Sequence, residues 1–279
     1  MLPEEYADIE HLRETIAEHL RQLDDAETDH LNLTDPDARL IKSKHGVEFC
    51  YNDQITVDSA HGIITANGVS QDAMDSRNLT PMLDEVAETT GRCADENLAN
   101  SGYYSGKALA DADEKGREVL VNKKPTPSRS AEKQDEFDVE NFDYDEESDR
   151  YYCGYGGWLV FRSKRWDKKK GYYRKYYKCQ EYANCPFREQ CSPKGCRTIS
   201  VSEFRKSISR QREKQKKPVN VELLKSRKTI VEPVFGNIKH NMGFRRFTVR
   251  GIDEVSAQWA LICLIVNLKK IYRVWATKI

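Results

Sequence analysis

An α/β fold is predicted on three observations: apolar residues alternate with polar ones over 47–66, they recur at spacings of three and four over 75–89, and the two patterns then succeed one another as far as residue 121. The chain has 279 residues, enough for one large or two ordinary domains. Its 38% apolar and 10% aromatic residues can bury a core, which excludes wholesale disorder.

Taken in order, Pro3 to Leu23 place Tyr6, Ile9, Leu12, Ile16, Leu20 and Leu23 at helical spacing with acids in the first turn. This predicts an amphipathic helix within an N-terminal unit of 1–30. Val47, Phe49, Tyr51, Ile55 and Val57 alternate with polar residues, turn at 59–62 and resume at Ile63 and Ile64, a β-hairpin by period and turn chemistry. Leu79, Met82, Leu83 and Val86 predict a helix ended by Gly91. A short strand around 96–99, a turn at Asn100-Ser101-Gly102, a helix over 106–115 and a strand at 119–121 complete a first α/β part, 31–124.

The pattern then dissolves. Pro125, Pro127 and a dense acidic run from Asp135 to Asp149 predict a linker over 125–150. Residues 151–200 read as a small insert of short strands rich in Tyr, Trp, Lys and Cys. Helix returns from Glu203, through 222–240 and 253–275, in a C-terminal part of 201–279.

The 45 basic and 45 acidic residues cancel, but not locally. Residues 1–150 hold 15 basic and 36 acidic side chains, a net of −21, and residues 151–279 hold 30 and 9, a net of +21. The second half thus suits a polyanionic partner. The longest apolar run, Trp259 to Val266, is short of the roughly 18–20 residues that cross a bilayer, so no membrane span is expected. The acidic start Met1-Leu2-Pro3-Glu4-Glu5 is unlike a secretory signal, which places the cysteines in a reducing cytoplasm.

Five of the eight cysteines fall in the insert. Cys153, Cys179, Cys185 and Cys191 are the preferred ligands of a structural Zn²⁺, with Cys196 as substitute, because a fragment so poor in aliphatic residues needs a staple. The competing reading is free thiols, since no CxxC pair is present. Cys50, Cys93 and Cys263 read as small buried hydrophobes. Lys168, Lys169, Lys170 and Arg174, interleaved with Trp166, Tyr172, Tyr173, Tyr176 and Tyr177, suit nucleic acid, cations for phosphates and rings for bases. A basic hairpin without a partner is the alternative.

The stretch from Thr229 through Glu232, Pro233, Lys239, Arg245 and Arg246 to Phe247, followed by a helix with Trp259 and Asn267, resembles the last catalytic segment of bacterial insertion-sequence transposases of the DDE family. Thr34-Asp35-Pro36-Asp37-Ala38-Arg39, Tyr51-Asn52-Asp53-Gln54 and Ala99-Asn100-Ser101-Gly102-Tyr103-Tyr104 are similar to that family's landmarks, in its order. The resemblance implies an RNase H-like core in which three carboxylates hold two Mg²⁺ ions, oxygen ligands suiting that hard cation, for in-line attack on a DNA phosphodiester. It implies DNA as partner (transposon ends and target), a homo-oligomer or an upstream transposase chain as a further one, and Glu232 as the third carboxylate. Lys228, Lys239, Arg245 and Arg246 are the cations around it.

The chain departs from that pattern twice. Where the family has its second carboxylate, this sequence has Asn100, one neutral oxygen in place of a charge. The first carboxylate, on the central strand of the family's sheet, matches nothing in the chain. Asp95, five residues before Asn100, and Asp58, at the end of the first hairpin strand, are the substitutes within reach. The expectation is a truncated or inactive transposase, the alternative a non-catalytic DNA-binding remnant with a zinc-stapled basic insert.

Overall fold

A computed structural model describes residues 9–25, 28–43, 46–122, 141–155, 157–168, 171–193 and 195–276. Tyr6, Lys169, Lys170 and the acidic run before residue 141 lie outside the described residues.

Helix α1 spans Ile9–Asp25, and none of its residues is buried. Two antiparallel hairpins follow: β1 (Arg39–Ser43) with β2 (Gly46–Cys50), and β3 (Asn52–Val57) with β4 (Ile64–Ser70). The alternating run that predicted one hairpin is therefore divided at Tyr51. The Tyr51 hydroxyl donates to Asp35 at 2.7 Å, and Asp35 also accepts from the Gly251 N–H at 3.2 Å, tying the corner between the hairpins to a distant segment. Burial and this carboxylate push the Tyr51 phenol well above its ordinary range.

A 3-10 turn at Asp75–Arg77 leads into α2 (Leu79–Thr90), which ends on Gly91 in the left-handed region at φ 74°. Strands β5 (Asn97–Ala99) and β6 (Val119–Val121) pair in parallel around α3 (Gly106–Glu114), a crossover of the right length for one helix. Helix α3 starts where the Ser105 hydroxyl accepts from the Ala108 N–H at 3.1 Å, an N-cap that satisfies one orphan donor. Leu79, Leu83, Ala99, Leu109 and Val121 form the core between these elements.

The basic insert is a five-stranded antiparallel sheet in the order β11-β10-β9-β8-β7, from β7 (Asp143–Asp145), β8 (Arg150–Tyr152), β9 (Trp158–Asp167), β10 (Tyr172–Cys179) and β11 (Thr198–Ser202). A one-turn helix, α4 (Arg188–Cys191), precedes β11. The sheet has its own core of Phe142, Tyr151, Leu159, Tyr177, Ile199 and Val201. Strand β7 lies within the predicted linker. It is drawn into the sheet by Asp149, whose carboxylate accepts from the hydroxyls of Tyr144 at 2.7 Å and Tyr177 at 2.6 Å.

Three helices close the chain: α5 (Arg205–Lys216), α6 (Pro218–Gly236), continued by a π turn at Asn237–Asn241, and α7 (Ile252–Ala276). Ile55 and Ile64 of the β3–β4 hairpin, Val234 and Ile238 after Glu232, and Trp259, Ile262 and Val266 of α7 make one apolar cluster. The start of α7 is held by Asp37, whose carboxylate accepts from the Ile252 N–H at 2.9 Å, where the helix end favours negative charge. By length and composition alone α7 is apolar enough to cross a membrane, a test that the core helix of a protein also passes. Its Val255, Trp259, Ile262, Cys263 and Val266 are nevertheless buried in the protein core.

Candidate functional site

The two half-sheets β3–β4 and β5–β6 are not hydrogen-bonded to each other, and the strands β3 and β5 line a shared cavity of about 150 Å³. Asp53, Gln54, Asn100 and Tyr103 line it from the sheets, Asp75 from the 3-10 turn, and Arg227, Val231 and Phe235 from α6. Asp53 and Phe235 are 182 residues apart in the sequence; the α6 contact with β3 and β5 brings these groups together.

Its polar wall is a closed network. Asn52 Nδ2 donates to Asp75 Oδ1 at 2.9 Å, Gln54 Nε2 donates to Asn52 Oδ1 at 2.7 Å, and the Tyr103 hydroxyl donates to Gln54 Oε1. Asn100 lies at the end of β5, and its Oδ1 accepts from the Gly102 N–H at 2.7 Å, capping the 3-10 turn Ser101–Tyr103. A Cβ at Gly102 would collide with Asp75 Oδ2 and Asn100 Oδ1, so glycine is needed for that approach. Burial raises the Asp53 carboxyl above its usual range, with Lys239 pulling it down and Asp75 adding to the rise. Burial, with the charges of Asp75 and Asp53, also lifts the Tyr103 phenol.

Asp53 and Asp75 are the two carboxylates that reading the sequence missed as candidates. The landmark Tyr51-Asn52-Asp53-Gln54 carried one of them in plain view; Asp75 carried no signal, because its partners Asn52 and Gln54 are 23 and 21 residues away on another element.

Glu232 is placed on α6 one turn before the π turn, with an exposed side chain, and forms an ion pair with Arg227 at 3.7 Å. Pro233 follows it inside the helix and withdraws a backbone donor, in keeping with the irregular turn that begins at Asn237. Asp95 is exposed in the bend before β5. Asp58 closes the β3–β4 turn by accepting from the His61 N–H at 2.7 Å and the Ala60 N–H at 3.3 Å. Burial alone would raise its pKa, but these bonds and His61 hold it below the usual carboxylate range. Among the described residues no group of three His, Cys, Asp or Glu side chains is arranged to hold a metal ion. The Asn100 oxygen is occupied by a backbone N–H, and Glu232 is exposed, faces Arg227 and does not line the cavity of Asp53 and Asp75, so the three positions do not converge as a two-ion carboxylate site would require.

The thiols are gathered differently from the expected set. Cys153 and Cys179 both approach Gly157, whose N–H donates to Cys153 Sγ at 3.2 Å, and Cys196 Sγ donates to the Cys179 carbonyl at 3.0 Å. The nearest thiols are thus Cys153, Cys179 and Cys196, the one held in reserve, while Cys185 and Cys191 belong to the loop around α4. Burial pushes the Cys179 thiol up to about 11. The ligand set Cys153, Cys179, Cys185 and Cys191 therefore has no support in the described geometry.

The cations divide into two groups. Lys239, Arg245 and Arg246 are exposed and line an open groove of about 770 Å³ together with Arg250, Tyr51 and Phe247. Lys239 also lies over the Phe235 ring at 5.4 Å. Lys228 on α6 and Lys168 at the β9–β10 turn are exposed as well. Arg174, by contrast, is engaged within the insert, donating to the Ser200 carbonyl at 3.2 Å and facing Asp167 at 3.7 Å.

Compared with known families, residues 152–272 match the family model described as a transposase DDE domain. No curated protein and no solved structure matches the chain.

Proposed function

We propose that this chain, whose residues 152–272 match a transposase DDE domain, is a DDE-family transposase that acts in DNA transposition as a DNA-gripping protein and does not cut or join strands by itself. The observation that carries this reading is the engagement of Asn100. At the position of the family's second carboxylate stands a neutral amide whose oxygen is occupied by the Gly102 N–H. Glu232, at the third, faces a guanidinium. A pair of divalent ions needs several anionic oxygens converging on it, and Mg²⁺ gives up its water reluctantly even then.

The groove of Lys239, Arg245 and Arg246 supplies exposed cations beside the rings of Tyr51 and Phe247, which phosphate binding asks for, while its other wall, from residues 32–53, carries Asp35, Glu48 and Asp53. Transposon ends and target DNA in the cytoplasm are the ligands it suits, with Lys228 and Lys168 extending the surface. No Mg²⁺ step and no Zn²⁺ staple is part of this reading.

A second reading is favoured by the cavity between β3 and β5. An RNase H-like sheet would be continuous there, so a strand supplied by an upstream transposase chain would complete both the sheet and the carboxylate set.

The test is a strand-cleavage and strand-joining assay with Mg²⁺ on DNA carrying the element's ends, run beside an anisotropy titration of the same DNA. Salt-sensitive binding without cleavage is expected. Cleavage by the purified chain that is abolished in Glu232→Gln would overturn the proposal, and cleavage only after addition of the upstream chain would establish the second reading.

A further inference from the structure

The cations of the groove sit on a segment that has no backbone ladder to hold it. Residues 243–250, between the π turn and α7, are in neither helix nor strand, and Arg245, Arg246 and Arg250 on it are exposed. Such a segment keeps its conformational freedom unless side chains remove it, and freedom left in place is lost on binding at the expense of affinity. Its inward ring, Phe247, meets Phe244 at 5.4 Å, Trp259 at 6.2 Å and Tyr51 at 6.3 Å between ring centres. Gln258 holds its middle, accepting from the Thr248 N–H at 3.0 Å and donating to the Thr248 hydroxyl at 2.6 Å.

Its far end is held by the landmark Thr34-Asp35-Pro36-Asp37-Ala38-Arg39. Asp35 is 8% exposed, and a single oxygen, Oδ1, accepts both from the Gly251 N–H, 216 residues away, and from the Tyr51 hydroxyl. It thus grips the backbone directly and Phe247 through the Tyr51 ring. Asp37 Oδ2 accepts from the next backbone donor, the Ile252 N–H, and Gln71 Nε2 donates to the Asp37 carbonyl at 2.7 Å, which ties the landmark to the end of β4. Pro36 fixes φ between the two acids, and Arg39 Nη1 donates to its carbonyl at 2.7 Å. Two successive N–H groups are therefore held by two carboxylates on a stiff spacer. Asp35 also lines the groove, where a negative charge opposes phosphate. Its two bonds give that acid a use that outweighs its repulsion.

We propose that Asp35 and Asp37 are positioning residues for the groove: they brace residues 243–251 so that Arg245, Arg246 and Arg250 meet DNA already ordered. This role presupposes that the groove is the DNA surface proposed above, and it adds the cause of the groove's shape.

The test joins two measurements on the full chain: anisotropy titration of duplex DNA, and trypsin cleavage after Arg245, Arg246 and Arg250 without DNA, mapped by mass spectrometry. Asp35→Ala removes the shared acceptor and is expected to bind DNA roughly tenfold more weakly and to be cut at these bonds roughly tenfold faster. Asp35→Asn keeps an Oδ1 with two lone pairs and loses only the charge, so it is expected to be cut like the wild-type chain and to bind at least as tightly. A carboxylate acting by charge alone would make both variants bind more tightly. One that only supported the fold would lower the melting temperature without speeding cleavage at these arginines. Either result overturns the proposal. If Arg245→Ala with Arg246→Ala weakens binding while Asp35→Ala does not, the brace is refuted and the DNA reading stands; a wild-type chain that does not bind DNA refutes both. If Asp35→Ala loses its circular dichroism spectrum, Tyr51→Phe decides, since it removes one of the two bonds and keeps the ring: faster cleavage after Arg245 and Arg246 supports the brace, and unchanged cleavage overturns it.

Discussion

Asn267 and Ile64, 203 residues apart, exchange two hydrogen bonds: the Ile64 N–H donates to Asn267 Oδ1 and Asn267 Nδ2 donates to the Ile64 carbonyl, each at 2.8 Å. A side-chain amide has the donor and acceptor of a peptide group, so Asn267 stands in for one residue of a neighbouring strand and closes the edge of β4. Replacing it by alanine removes both bonds and leaves two backbone groups of a buried residue without partners. Asn267→Ala should cost about 2–3 kcal/mol, read as a lower urea midpoint at unchanged slope.

Trp259 fills the centre of the same region, 1% exposed, and its Nε1 donates to the Gln54 carbonyl at 3.0 Å. Trp259→Ala combines a large cavity with a lost bond and should cost about 3–5 kcal/mol, enough to unfold a marginal domain. Trp259→Phe keeps most of the volume and should cost about 1–3 kcal/mol, chiefly through the unpaired carbonyl. Thermal melting of the two variants ranks them; equal melting temperatures would contradict the role given to the volume of the ring.

Asp149 predicts an acid response of the basic insert. Burial alone would raise its pKa, but bonds from Tyr177, Tyr144 and Lys175 hold it below the ordinary 3.8. A carboxylate with a depressed folded value stabilises the protein fully above the unfolded value and loses that contribution as pH falls through the folded one. The wild-type sheet should therefore lose more stability below about pH 4 than Asp149→Asn does, measured by tyrosine and tryptophan fluorescence. Asparagine tolerates the left-handed φ of 45° at this position, so the comparison isolates the charge.

The groove makes a quantitative prediction for DNA. Each phosphate contact contributes about 0.9 to the slope of log affinity against log salt on duplex DNA. Arg245→Ala with Arg246→Ala should lower that slope by about 2, and Lys239→Ala by about 1. Arg174→Ala should leave it unchanged, because that guanidinium is held by Ser200 and Asp167. A slope indifferent to Lys239, Arg245 and Arg246 would place the DNA elsewhere on the protein.

Elements with a local cause were legible in the sequence: α2 from its apolar period and Gly91, α3 within a turn–helix–strand run, α7 from its long helical pattern. What was not legible depended on distant partners. Strand β1 has no alternating pattern of its own and is a strand only because β2 pairs with it; β7 lies in an acidic stretch and is recruited by Tyr144 and Tyr177 bonding to Asp149. In the candidate site, Glu232 and Asn100 were found through motif resemblance, whereas Asp75 enters through Asn52 and Gln54, and Cys196 comes beside Cys179 only because β10 and β11 are paired. Spacing along the chain could not distinguish Cys196 from Cys185 and Cys191.

The placement of α7 against β3 and β4 has a consequence for biosynthesis. The apolar side of the β3–β4 hairpin is made early, and its cover is made last: Trp259 lies 204 residues after Ile55 and 195 after Ile64. At translation rates of roughly 5–20 residues per second, Ile55 and Ile64 wait some 10–40 s outside the ribosome before Trp259 and Val266 emerge. A nascent chain of this design is a client for holdase chaperones, and a stop codon anywhere before the final helix would yield a sticky product and not a smaller working protein.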